Sequence, residues 1–257
     1  MLTLTTYRLS ANEDELPCSK QFAPAYFKKL VRSLIFKIRD NYTERDYNLY
    51  AMFNFQTSPI SHCQEMELPQ IGCHYFNGTF YLTGINNGAK VVKLLAQSYK
   101  QAFTYEDVVY KGFRHHHGIN NKTIKPGNKY YEYCVVNWIP PTSSFESLFA
   151  SYSDSNERWL ANKAVYQDHI FRDEFERNFY SFCRQYGIDS KGVNLQHPWG
   201  AGFINKTITH NGQKYHGYIY SFECNILIPN MLCVGLFAEL GQGRIIERKE
   251  FWNVLNS

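Results

Sequence analysis

Apolar and polar positions alternate over "LTLTTYRL" (2–9), and the stretch is rich in β-formers, so it predicts a strand. A polar break follows. Over 23–40 the period changes: Phe27, Leu30, Val31, Leu34, Ile35 and Ile38 recur at i, i+3, i+4. That is the apolar stripe of an amphipathic helix, with Lys28, Lys29, Arg32, Lys37 and Arg39 at the remaining positions. "NLYAMFNFQ" predicts a second strand, closed by "TSPIS", and "HYFNGTFYLTGI" a third strand or a hairpin leading into one. "NNGAKVVKLLAQSYKQ" predicts a second helix capped by Asn86 or Asn87, and "AFTYEDVVYKGF" a further strand.

The first half therefore has the order β-α-β-β-α-β, a ferredoxin-like unit. "RHHHGINNKTIKPGNK" is polar and contains glycine, so it is expected to be a linker or long loop. "YYEYCVVNWI" begins again with a strand, interrupted by "PPTSS". A long, mostly helical stretch runs from there to Gly187. Two strands form a hairpin pair around "NGQ", "MLCVGLFAELG" is a short helix, and "GRIIERKEFW" is a final strand. The expected fold class is α+β: two ferredoxin-like (βαββαβ, RRM-like) domains in tandem, spanning 1–118 and 129–257. The repetition lies in the element order and not in the residues.

The 257 residues are 44% hydrophobic and 17% aromatic, enough for a substantial core. A net charge of +4 permits a nucleic-acid partner without demanding one. The 20 tyrosines and 19 phenylalanines are core by default, and some can serve as stacking surfaces for bases. The seven cysteines contain no C-x-x-C pair, which argues against a zinc site or a disulfide framework and for reduced thiols in a cytoplasmic protein. The first residues carry no basic segment followed by a long apolar one, and no apolar run is long enough for a membrane span, so neither a signal peptide nor a membrane partner is expected. No metal or cofactor motif stands out.

The stretch that bears most on function is "CVGLFAELGQGRI", Cys233 to Ile245, with Gly235, Gly241 and Gly243 followed by Arg244. Such a loop can cradle phosphate with its backbone N–H groups, or it can be a helix C-cap and a tight turn. It lacks the G-K-[ST] of a nucleotide P-loop. It resembles the C-terminal glycine-rich loop of the RAMP superfamily, and within it the CRISPR repeat-processing endoribonucleases, the Cas-six family. Gly235 matches the first glycine of that pattern, and Gly241, Gly243, Arg244 and Ile245 match its end. Phe237 stands where a second glycine is usual, and the spacer is short. "FQTSPIS", "FYLTGINNGAKVVKLLAQSY", "VVNWIPPTSSFES" and "NGQKYHGYIYSFECNIL" resemble other family stretches in the right order.

The resemblance implies metal-independent cleavage of CRISPR repeat RNA without a cofactor. The 2′-hydroxyl attacks the adjacent phosphate and leaves a 2′,3′-cyclic phosphate. The implied partners are the repeat hairpin, the mature guide RNA and, where the protein stays on its product, other effector subunits. Many members carry a catalytic histidine after the first helix. Here that segment holds Tyr42, Arg45 and Tyr47 instead. Tyr42 and Arg45 are therefore candidate catalytic residues, with His62 and His210 as candidate bases. A tyrosine of ordinary pKa, about 10, is a poor base at neutral pH. Candidate RNA contacts are Lys28, Lys29 and Arg32 of the first helix, Arg114 and His115 of the histidine run, Arg158 and Lys163 of the long helix, and Gly235, Gly241, Gly243 and Arg244 of the loop. His197, before Pro198, reads as structural. The alternative is a non-catalytic RAMP subunit that binds RNA and cuts nothing.

Overall fold

The computed structural model describes residues 1–11, 16–19, 22–38, 56–57, 66–67, 69–76, 78–141, 158–197, 203–210 and 213–251. Strand β1 (Leu2–Ser10) is followed by helix α1 (Ala23–Lys37), whose Pro24 sits in the first turn, where its missing N–H costs nothing. The α1 stripe is as the periodicity predicts: Phe27, Leu30, Val31, Leu34 and Ile35 are buried, and Lys29, Arg32 and Lys37 are exposed. Two short pieces pair as β2 (Gln56–Thr57) and β3 (Met66–Glu67). "HYFNGTFYLTGI" is a hairpin, β4 (Ile71–Phe76) and β5 (Thr79–Ile85). Helix α2 (Asn87–Ser98) follows. Asn86 occupies its cap position, but its side-chain oxygen accepts the Thr3 N–H at 3.0 Å instead of a helical N–H.

Two expectations are corrected here. "AFTYEDVVYKGF" is not one strand but a hairpin, β6 (Phe103–Tyr105) and β7 (Val108–Tyr110), turning at Glu106 and Asp107 with φ of 45° and 66°. The histidine run is not a loop. Arg114–Lys122 forms β8, paired antiparallel with β1. The first sheet has the order β4-β5-β1-β8 with every pair antiparallel. Phe27, Leu30, Val31 and Leu34 of α1 and Val91, Val92 and Leu95 of α2 pack with Leu9, Ile71, Phe80 and Leu82 into one core.

The second half runs β9 (Tyr131–Trp138), α3 (Arg158–Gln185), β10 (Leu195–Gln196), β11 (Phe203–His210), β12 (Gln213–Cys224) and β13 (Arg244–Glu247). The β11–β12 hairpin closes with His210 opposite Gln213, as expected around "NGQ". β10 and β11 share one flank of β12, β9 lies on the other, and β13 follows β9. Taken in chain order, the four strand positions are arranged 2-3-1-4 in both sheets. Phe175, Phe179 and Phe182 of α3 pack on Tyr220, Phe222 and Trp138. The halves differ in their extra strands, β11 in the second and the β6–β7 hairpin in the first, and in one connection. Where α2 links the third and fourth strands of the first sheet, the second half has the glycine-rich loop and one 3₁₀ turn, Ala238–Leu240, so the expected short helix is not formed. Leu2, Leu4 and Ile85 of the first sheet belong to the second half's core, which joins the halves.

Candidate functional site

The glycine-rich loop is shaped by its glycines. Gly235, Gly241 and Gly243 have φ of 93°, 80° and 67°, a region that L side chains rarely adopt. A Cβ on Gly243 would overlap the Val234 carbonyl, and one on Gly235 would lie 2.6 Å from the Ile139 oxygen. Phe237, the departure from the family pattern, takes φ 58° as a non-glycine residue, its ring edge-on to Tyr215 with centroids 5.1 Å apart. Six of the loop N–H groups turn inward. Val234 donates to Gly243 O at 2.9 Å, Leu236 to Ile139 O at 2.9 Å and Gly243 to Asn137 O at 3.0 Å. Leu240, Gly241 and Gln242 donate to carbonyls of the loop itself. The loop also sends several side chains outward.

Those side chains meet the first half. Glu239, in the 3₁₀ turn, accepts from Lys28 Nζ of α1 at 3.2 Å, with both groups largely buried. Gly241 lies over His74 of β4, where an added Cβ would stand 2.8 Å from Nδ1. Arg244, the first residue of β13, holds its guanidinium 4.4 Å from the centre of the Phe76 ring, also on β4. This is cation–π geometry. Burial draws the Arg244 pKa down from its usual value, although a guanidinium keeps its proton at any physiological pH.

His74 was not among the sequence candidates. It is 2% exposed, and neither ring nitrogen has a hydrogen-bond partner among the described residues. Burial first, and then the Arg244 charge, lower its pKa to about 3, so the ring is neutral at pH 7. Glu239 Oε2 and Gln242 Oε1 are also buried without a partner among the described residues. The nearby Cys73 and Cys233 thiols are pushed up by burial, Cys233 to about 12, which keeps both protonated and unreactive.

Of the sequence candidates, Lys28 and the loop residues Gly235, Gly241, Gly243 and Arg244 come together at this junction. Lys29 lies on the outer face of α1, paired with Glu106 at 2.8 Å, and Arg32 is exposed on the same helix. Arg114 and His115 lie on β8, at the far edge of the first sheet, the His115 ring edge-on to Tyr7. Arg158 and Lys163 belong to the first turns of α3, and His210 ends β11; their side chains lie outside the described residues. So do Tyr42, Arg45 and His62 altogether. His197 is held between Glu176 Oε1 at 2.9 Å and the Tyr220 hydroxyl at 2.8 Å.

No family model matches the sequence, and no curated protein matches it. Solved structures do. The crystal structure of Cas6b is 13% identical with a TM-score of 0.59, and the match covers 96% of this chain and 100% of that one. A second crystal structure, of the CRISPR RNA processing endoribonuclease Cas6b, is also 13% identical, with a TM-score of 0.53 over 95% of this chain and 99% of that one. The chain has the fold of these proteins, mixed α+β with antiparallel sheets.

Proposed function

We propose that this chain is an endoribonuclease that binds and cuts CRISPR repeat RNA without a metal ion and stays on the guide RNA it releases. The observation that carries the reading is the junction just described. A positive-φ glycine loop closes the second half onto β4 of the first, and its exit residue, Arg244, stands over Phe76 with no ion pair among the described residues. The fold shared with Cas6b across nearly the whole chain supports it. So does the strand arrangement of the two sheets, which we read as two ferredoxin-like halves divided in the connection after Lys122.

Cleavage by the 2′-hydroxyl needs a base, a proton donor for the leaving oxygen and a cation for the charge that develops on phosphorus oxygens. Arg244 supplies a cation of fixed direction for a phosphate of the bound RNA. His74 is beside it, but a base whose pKa is near 3 holds a proton poorly at neutral pH, so we assign it to seating the loop. The acid–base roles fall to His62 and His210, and Tyr42 and Arg45 orient the reacting phosphate and stabilise its charge. The products are a 2′,3′-cyclic phosphate and a 5′-hydroxyl. Binding and single-turnover cleavage of a repeat hairpin, compared across variants, test the assignment. Arg244→Met, which keeps much of the stem's packing, weakens binding and lowers the slope of log K against log salt by about one unit. Tyr42→Phe, Arg45→Met, His62→Ala or His210→Ala slows cleavage with affinity kept, because an interaction made in the transition state shows in the rate. If none of the four slows cleavage, the catalytic assignment is wrong. If the protein binds the hairpin and never cuts it, the chain is a non-catalytic RAMP subunit.

A further inference from the structure

The face of the first sheet turned away from α1 and α2 carries a strip of rings and cations. Cross-strand register places His74 opposite Tyr81, Tyr81 opposite Arg8 and Arg8 opposite Arg114, one row across all four strands. Phe76 stacks on Tyr81 with centroids 4.2 Å apart and planes 9° from parallel, and Arg244 closes the other side of Phe76. Tyr81 is therefore braced from the glycine loop. Across the sheet His116 stands edge-on to Tyr81 at 5.2 Å. β8 carries an irregularity between its pairings with Thr6 and Tyr7, and His116 is the residue that has no β1 partner there. Tyr81 is half-buried, and Arg8, Arg114 and His116 are exposed.

Charge on this face is one-sided. None of the strands β1, β4, β5 and β8 contains an Asp or Glu, in a chain with 23 of them. Neither Arg8 nor Arg114 has an ion pair among the described residues. His116 shows the result. Burial, and then the neighbouring Arg8, His117 and His115, hold it below the ordinary imidazole range. Braced aromatic rings flanked by unpaired cations suit a ligand that alternates flat apolar groups with phosphates. A protein segment would supply acids without regularly spaced rings, and a duplex buries its base faces.

We propose that this face is a stacking site for two or three unpaired nucleotides of RNA, with bases on Tyr81 and His116 and phosphates on Arg8 and Arg114. It rests on the RNA-binding reading above and adds a subsite for single-stranded RNA flanking the hairpin. The four-stranded sheets of RRM modules read single strands by stacking two or three bases on exposed rings.

The test compares two RNAs, a blunt repeat hairpin and the same hairpin with a single-stranded flank, for the wild type, His116→Ala, Arg8→Ala and Tyr81→Phe. His116 and Arg8 are exposed, so those variants should fold as the wild type does, which melting temperatures check. His116→Ala is expected to lower affinity for the flanked RNA about ten-fold, for one lost stacking contact, and to leave the blunt hairpin unchanged. Arg8→Ala should do the same and reduce the salt slope for the flanked RNA by about one unit. Tyr81→Phe should bind both RNAs as the wild type does, since it keeps the ring. If the variants bind flanked RNA normally while Arg244→Met weakens both RNAs, the stacking site is overturned and the RNA-binding reading stands. If the wild type binds neither RNA, both are overturned.

Discussion

Replacing His74 by Leu should flatten the acid side of the stability profile. The His74 pKa is depressed to about 3 in the folded protein, against about 6.5 in the unfolded chain. As pH falls below 6.5 the unfolded state takes up a proton that the folded state refuses. His74 therefore leaves stability intact above pH 6.5 and removes it progressively as pH falls toward 3. At 1.36 kcal/mol per pH unit, the loss between pH 7.5 and pH 5 is about 2 kcal/mol. That corresponds to a fall in Tm of about 4–8 °C for a chain of this size. His74→Leu has nothing to protonate there. It also removes two buried ring nitrogens that have no partner among the described residues, which offsets part of any packing cost. The assay is denaturant or thermal unfolding of both proteins at pH 7.5 and pH 5. A constant difference in packing cancels, as do the other histidines, because only the change with pH is compared. The wild type should lose about 2 kcal/mol more than the variant. Equal losses would mean that His74 titrates normally and that the ring is not sealed under Gly241 and Arg244.

Gly241→Val, at φ 80° and with a Cβ 2.8 Å from His74 Nδ1, should destabilise by about 2–4 kcal/mol; Gly192→Ala, at the same φ with nothing within 4 Å, should cost only the backbone strain of about 1–2 kcal/mol. Equal costs in two unfolding titrations would show that the loop does not press on His74. A double-mutant cycle on Lys28→Met and Glu239→Gln should give a coupling of about 1–3 kcal/mol for this largely buried pair between the halves. In an RNA titration Lys28→Met should leave the salt slope unchanged, since its charge is already spent on Glu239; a slope lower by a full unit would return Lys28 to the RNA contacts.

The helices and core strands were legible because their apolar residues repeat with the period of the structure they form, as in α1. The strand β8 was not. "RHHHGINNK" is exposed on nearly every residue, an edge strand whose apolar positions carry no alternation, and only its pairing with β1 makes it a strand. The β6–β7 hairpin was hidden for another reason: Glu-Asp takes left-handed torsions that Asn-Gly usually advertises. The glycine loop announced itself by composition, but where it docks did not. Lys28, His74 and Glu239 are 46 and 165 residues apart along the chain, and no local pattern links them. His74 sits in "IGCHYF", where the one available signal is a histidine inside an otherwise apolar strand. Lys28 looked like a phosphate contact because its helix is basic, yet a carboxylate from the other half reaches it first.

Incubation of the protein with end-labelled CRISPR repeat RNA, the host's own repeat included, in excess EDTA tests the central claim most directly, with the product ends identified chemically. Cleavage at one position, leaving a 2′,3′-cyclic phosphate on one fragment and a 5′-hydroxyl on the other, is the predicted result. RNA that is bound but stays intact, or cleavage that stops in EDTA and returns with magnesium, would contradict it.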